Sequence, residues 1–116
     1  MARQRVLSGV QPTGTLHIGN YLGALRQWRG MVDAYETFFC VVDLHAITVP
    51  DAIDPAALRE HVRSVAALYV AAGIDPEKAA IFVQSDVRAH SELAWILTCM
   101  TPMGWLSSWA SPADQL

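Results

Sequence analysis

The chain has 116 residues, 53% hydrophobic and 16% charged, with a net charge of −3 from 8 basic and 11 acidic side chains. That length suits one domain with its own core and is too short for two; the charged share is below the roughly 25% of a typical soluble domain, which fits either an alanine-rich composition or a face reserved for a partner. The seven arginines and one lysine form no basic run, which excludes a domain held to nucleic acid by charge alone; no apolar run approaches the ~20 residues of a membrane span, and Met1-Ala2-Arg3-Gln4-Arg5 leads into no signal-type segment, so a cytoplasmic protein is expected.

The pattern predicts a first strand over Arg5–Val10 and a turn over Thr13–Thr15 centred on Gly14. A helix follows from about Leu16 to Tyr35, with Ile18, Leu22, Leu25, Val32 and Tyr35 on one face. Gly19 and Gly23 lie within it, and a glycine costs a helix interior about 1 kcal/mol, so the pair implies close packing or close approach of a ligand. Thr37–Asp43 is a continuous apolar run of aromatic and β-branched residues, the mark of a strand buried on both faces of a parallel sheet. His45–Thr48 is expected as a loop. Asp54-Pro55 opens a second helix, Asp as cap and Pro in the first turn, with Leu58, Val62, Val65, Ala66, Tyr69 and Val70 turned inward. Gly73 suits the left-handed position that ends a helix, with Ile74 as its apolar contact. Ala79–Gln84 is a third buried strand, and a third helix runs from about His90 to Met100 until Thr101-Pro102 stops it. Cys40 and Cys99 have no partners at metal-ligand spacing and are expected as buried, reduced thiols. Trp95 and Trp105 are expected in the core or at a subunit interface.

The order β-α-β-α-β-α predicts an α/β fold with a parallel sheet covered by helices. Ligands in such sheets bind beyond the carboxyl ends of the strands. Two stretches meet there: Ser8–Leu25, with glycines at 9, 14, 19 and 23, and Asp43–His45. A glycine-rich turn from a strand into a helix lets the backbone approach a phosphate. The glycine spacing is not that of the dinucleotide fingerprint, and no Gly-Lys-Ser/Thr follows, so the two common phosphate-loop classes are disfavoured.

What remains is His17-Ile18-Gly19-Asn20 at a helix start after strand one. This closely resembles the first signature, His-Ile-Gly-His, of the class I aminoacyl-tRNA synthetases. The longer string G-V-Q-P-T-G-T-L-H-I-G-N-Y-L-G-A-L-R-Q is similar to the tryptophanyl-tRNA synthetases, where Asn is common at the last signature position. F-F-C-V-V-D-L-H-A-I-T, A-A-L-Y-V-A-A-G-I-D-P, F-V-Q-S-D-V and T-P-M-G-W-L resemble the same family in the same order, over about residues 5 to 106.

The resemblance implies a Rossmann-like nucleotide-binding fold and a ligase that activates tryptophan with ATP, carried with Mg2+, and passes it to tRNA(Trp). A homodimer is implied as well. It implies that Gln11, Pro12 and Thr13 lie beside the nucleotide, that Gly19 lets the adenosine approach the backbone, and that His17 and Asn20, the catalytic pair, place donors at the phosphates. The helix N-terminus adds its partial positive charge. Leu7, Gly9 and His45 are implied as tryptophan contacts; Leu7 stands where the family commonly has an aromatic residue and offers less stacking surface. Each position has a plainer reading: His17 and Asn20 as helix-start residues, Gly19 and Gly23 as packing glycines, Gly9 as a turn residue, His45 as a loop anchor. Asp43 is expected to orient the His45 loop rather than to move protons.

Residues 1–106 are thus expected to form the N-terminal half of a class I catalytic domain, and 107–116, Ser-, Ala- and Pro-rich, a divergent tail. The family's second half, with the Lys-Met-Ser-Lys-Ser signature, the acidic reader of the indole N–H and the anticodon-binding domain, has no counterpart in these residues. Independent tRNA charging is therefore not expected. The alternatives are a non-catalytic nucleotide-binding or interaction module, or an inactive truncated fragment. Strand one is expected to keep an unpaired edge.

Overall fold

Three strands, β1 (Arg5–Val10), β2 (Glu36–Val41) and β3 (Ala80–Val83), form a parallel sheet in the order β1-β2-β3. The computed structural model describes residues 3–13, 19, 21–48 and 54–105. Arg5 pairs with Glu36 and Val10 with Val41, and Phe38 pairs with Ala80 through to Val41 with Val83. β2, flanked on both sides, is the most apolar strand; Phe39 and Val41 are completely buried. β1 pairs with β2 alone among the described residues and alternates between exposed Arg5, Leu7 and Gly9 and half-buried Val6, Ser8 and Val10.

Between β1 and β2 the chain passes through one π-helical turn, Tyr21–Leu25, into α1 (Arg26–Met31). The helix ends four residues earlier than the spacing of its apolar residues predicts, because the amides of Ala34 and Tyr35 both turn back to the Met31 carbonyl, at 3.1 and 2.9 Å. Leu25 and Val32 are buried as expected, and Trp28 between them is buried too. Ile18 and the side chain of Leu22 lie outside what is described. Among the described residues nothing lies within 4 Å of a would-be Cβ at Gly23.

β2 gives way at Val42 to a short helix, α2 (Asp43–Ala46), where the sequence predicts strand and then loop. α3 (Pro55–Ala71) begins as expected: Asp54 caps it, its carboxylate accepting the amides of Ala56 and Ala57 at 3.3 and 3.2 Å. It ends at Gly73, which has φ +90°. The Ile74 amide donates to the Tyr69 carbonyl and the Gly73 amide to the Val70 carbonyl, satisfying two orphan carbonyls at the C-terminal end of the helix, and Ile74 is buried. Val65 and Tyr69 face the sheet; Val70, expected inward, is 51% exposed. The core joins these residues to Leu25, Trp28 and Val32 of the first connection and to Phe39 and Val41 of β2. Trp28 stacks on Phe39 with ring centroids 4.6 Å apart and meets Tyr69 edge-on at 5.4 Å.

Residues from Val87 onward form a separate unit. It contains α4 (Arg88–Met100), none of whose residues is buried. Trp95 and Trp105 are each 70% exposed. Among the described residues nothing covers them. Cys99 is exposed too, against the expectation of burial, whereas Cys40 is buried; both thiols are free. No described helix is long and apolar enough to cross a membrane.

Candidate functional site at the carboxyl ends of β1 and β2

In a parallel sheet all strands deliver their following loops to one edge. Here the Val42 amide donates to the Val10 carbonyl at 3.0 Å. Gln11–Thr13 and Asp43–His45 therefore leave adjacent strands side by side. The sequence expectation that these two stretches share one end of the sheet holds.

Within that edge the residues separate by face. Leu7 and Gly9 lie on the open face of β1, Leu7 with 66% of its surface exposed. Gly9 is opposite Cys40 and has no room for a side chain: a Cβ would stand 2.7 Å from the Cys40 carbonyl oxygen and 3.1 Å from Cγ1 of Val42. Glycine at this position is therefore a matter of close approach by β2, not of turn geometry. Gln11 is half-buried, Pro12 is fully buried, and Thr13 is exposed. Buried Pro12 fixes its backbone φ and donates no amide, which makes the exit from β1 stiff. Gly19 is helical and exposed. His17 and Asn20 lie outside the described residues.

His45 is exposed on α2, and its carbonyl accepts both the hydroxyl and the amide of Thr48, at 2.7 and 3.2 Å. Asp43 has the orienting part expected of it. One carboxylate oxygen accepts the amide of Leu44 and the amide of Ser85, both at 3.0 Å. It ties the end of β2 to the turn Gln84–Asp86 that follows β3. Beyond this tie lies an open cleft of about 470 Å³, walled by Leu58, Arg59, Val62 and Arg63 of α3 and by Val83 and Asp86. Of the sequence-predicted stretches at this edge only Asp43 lines it; Leu7, Gly9, Gln11–Thr13 and His45 do not.

Two groups behind the site are shielded from water. Burial, with a smaller contribution from the Asp43 charge, raises the Cys40 thiol to about 11. Burial also pushes the Tyr69 hydroxyl well above its usual value, against the Val10 amide, which lowers it. Tyr69 is the residue that sequence reasoning placed only on a helix face. The available signal was a tyrosine on a stripe otherwise aliphatic, since a buried phenol needs a partner for its hydroxyl. Among the described residues no cluster of three potential ligands could hold a metal ion.

The family model for "tRNA synthetases class I (W and Y)" matches residues 1–112. A tryptophan–tRNA ligase from Parasynechococcus marenigrum is 60% identical over 106 residues, covering 91% of this chain. One from Nostoc sp. is 63% identical over 106 residues, again 91% of this chain. The chain spans 31% of the length of each. Among solved structures, the tryptophanyl-tRNA synthetase of Campylobacter jejuni in complex with ADP and tryptophan superposes with a TM-score of 0.81 at 41% identity, over 90% of this chain and 32% of that one.

Proposed function

The chain belongs to the class I tRNA synthetases of the tryptophan and tyrosine kind, and from that premise we propose that it carries the ATP-binding first half of a tryptophan–tRNA ligase catalytic domain. The observation that carries this reading is the identity of about 60% over 106 residues with ligases for tryptophan, which includes both stretches at the carboxyl edge. Residues 1–106 are the part assigned to the catalytic domain, and 107–116 lie outside it.

In the proposed reaction the tryptophan carboxylate attacks the α-phosphorus of ATP and pyrophosphate leaves. The tryptophanyl group then passes to the 3′ end of tRNA(Trp). Such a step depends on positioning and on stabilising charge rather than on acid–base chemistry. That suits a site edge built from glycines, amides and neutral polar groups. Gln11, Pro12 and Thr13 are assigned to the nucleotide. Gly19 is assigned to adenosine approach, and His17 and Asn20 to donors at the phosphates. Leu7 and Gly9 share the open face of β1, which supports assigning them with His45 to tryptophan; the ADP and tryptophan bound by the Campylobacter jejuni enzyme support the pairing of these two ligands. Mg2+ is assigned to the nucleotide's own phosphates, where this ion keeps most of its water; the described residues offer it no cage. The exposed apolar residues of α4, Leu93, Trp95, Ile96 and Leu97, fit the homodimer proposed for the family. The cytoplasm is the proposed location.

The chain spans under a third of the length of these relatives, and the alternative reading is a nucleotide-binding module that does not activate tryptophan by itself. Tryptophan-dependent exchange of labelled pyrophosphate into ATP decides between them. Exchange by this chain, alone or on addition of the remaining two thirds of a relative, supports the ligase reading. Saturable ATP binding that is lost in Gly19→Val, with no exchange in either case, supports the module. No binding and no exchange overturns both.

A further inference from the structure

The fully buried Tyr69 places its hydroxyl on the next-to-last rung of the β1–β2 ladder, just before the Val42 amide to Val10 carbonyl bond that closes it. It accepts the Val10 amide at 3.1 Å and donates to the Cys40 carbonyl at 3.0 Å. These two groups are the ones that face each other there. Val10 is opposite Val41, and its carbonyl accepts the Val42 amide, so in a parallel ladder its own amide is directed at Cys40. The phenol therefore bridges the rung next to the one at which β1 leaves the sheet.

Its position is set from outside the strands. The ring stands edge-on to Trp28 at 5.4 Å, and the Tyr69 carbonyl accepts the Ile74 amide at the end of α3. The Cys40 carbonyl held by the hydroxyl is also the atom that leaves no room for a Cβ at Gly9. Beyond the bridged rung lie Gln11, buried Pro12 and Thr13.

We propose that Tyr69 is a positioning residue: its hydroxyl sets the spacing of β1 from β2 at their carboxyl ends and thereby places the Gln11–Thr13 exit for the nucleotide. The nucleotide clause rests on the function proposed above; the placement of the exit does not. Without the hydroxyl, the Val10 amide and Cys40 carbonyl have only each other, the strand ends draw together, and a stiff exit moves as a piece. A residue that merely fills the core changes stability and leaves the exit where it is.

The test uses the full chain as Tyr69→Phe, which keeps the ring and its packing. Val65→Ala, a buried position of α3 that bonds to neither strand end, is the control for lost stability. Backbone amide resonances are read at Gln11 and Thr13, and ATP affinity by calorimetry. In Tyr69→Phe the Gln11 and Thr13 resonances are expected to move and ATP to bind about tenfold more weakly, as for one lost buried hydrogen bond. Val65→Ala, which leaves both hydrogen bonds of the Tyr69 hydroxyl in place, is expected to leave ATP affinity within about two-fold. Unmoved Gln11 and Thr13 resonances in Tyr69→Phe overturn the proposal, as does equal weakening of ATP by Val65→Ala. If the unaltered chain binds no ATP, the function proposed above fails, and the resonances alone decide the placement.

Discussion

Gly9→Ala isolates the close approach of β1 and β2 at the site. Gly9 does not have positive φ, so alanine fits its backbone without strain, and only space opposes it. The new methyl meets the Cys40 carbonyl oxygen at 2.7 Å, Val42 Cγ1 at 3.1 Å and Cys40 Cβ at 3.3 Å. The first contact is with backbone, and that oxygen is bonded to the Tyr69 hydroxyl, so it cannot yield without loosening a buried hydrogen bond. Overpacking of this kind costs about 2–3 kcal/mol. The restricted unfolded chain returns about 0.4–1 kcal/mol, leaving a net loss of about 2 kcal/mol. Urea unfolding followed by far-ultraviolet circular dichroism should show an earlier midpoint with an unchanged slope. The double variant Gly9→Ala/Tyr69→Phe should depart from the sum of the singles by about 0.5–1 kcal/mol, because one carbonyl serves both positions. A Gly9→Ala chain as stable as the original, or strict additivity in the double variant, would refute the reasoning that one carbonyl couples Gly9 to Tyr69.

Gly23→Ala should do the opposite: its Cβ meets nothing within 4 Å, so helix propensity alone acts and the chain gains about 0.5–1 kcal/mol, read from the same urea titration. Asp43→Ala removes the acceptor of the Leu44 and Ser85 amides; a loss of about 1–2 kcal/mol is expected for this half-buried group, with faster amide exchange at Ser85, while Asp43→Asn, which keeps an acceptor oxygen, should lose less. Cys99 should react with iodoacetamide at pH 8, whereas Cys40, buried and raised to about 11, should react only on unfolding, as mass mapping of the labelled peptides will show. The same shift gives a sign: the folded chain holds the Cys40 proton more tightly than the unfolded one, so this group's contribution is intact below pH 9 and is lost as pH rises to about 11; a Cys40→Ser chain should show a flatter stability profile there.

The strands were legible because burial on both faces leaves an unmistakable apolar run, and β2 shows it at Phe39, Cys40 and Val41. The two ends of α3 were legible because both use local chemistry, the Asp54 cap and the left-handed Gly73. The end of α1 was not. Val32 is buried and Tyr35 half-buried, in helical register with Leu25, but hydrogen bonds to the Met31 carbonyl rather than side-chain spacing end the helix. The strand-to-helix switch at Asp43 was equally hidden, since it depends on a carboxylate reaching Ser85, 42 residues away. The gathering of Gln11 and His45 at one edge followed from topology. The partner of the Tyr69 hydroxyl did not, because a helix-face pattern says that a side chain is buried but not which strand carbonyl it meets. Trp95 and Trp105, expected in the core or at a subunit interface, are exposed for a related reason: apolar character marks a surface that can be covered without naming what covers it, and no described residue does.

β1 does two jobs through its alternation. Val10 packs against the core from one face, and Leu7 and Gly9 stand open on the other. A one-residue slip of β1 against β2 would exchange the two sets, turning Leu7 inward and Val10 out. It would also move the Val10 amide off the Tyr69 hydroxyl and bring a side chain other than hydrogen against the Cys40 carbonyl. The register is thus enforced by the packed face, the bridged rung and the glycine, the last two through one Cys40 carbonyl, and all three converge within two residues of the exit at Gln11. This concentration follows from what the site needs. A sheet's interior is held by many neighbouring rungs, but the carboxyl end of a strand has rungs on one side only. There, a buried hydroxyl anchored to a helix replaces the neighbours that the departing strand no longer has.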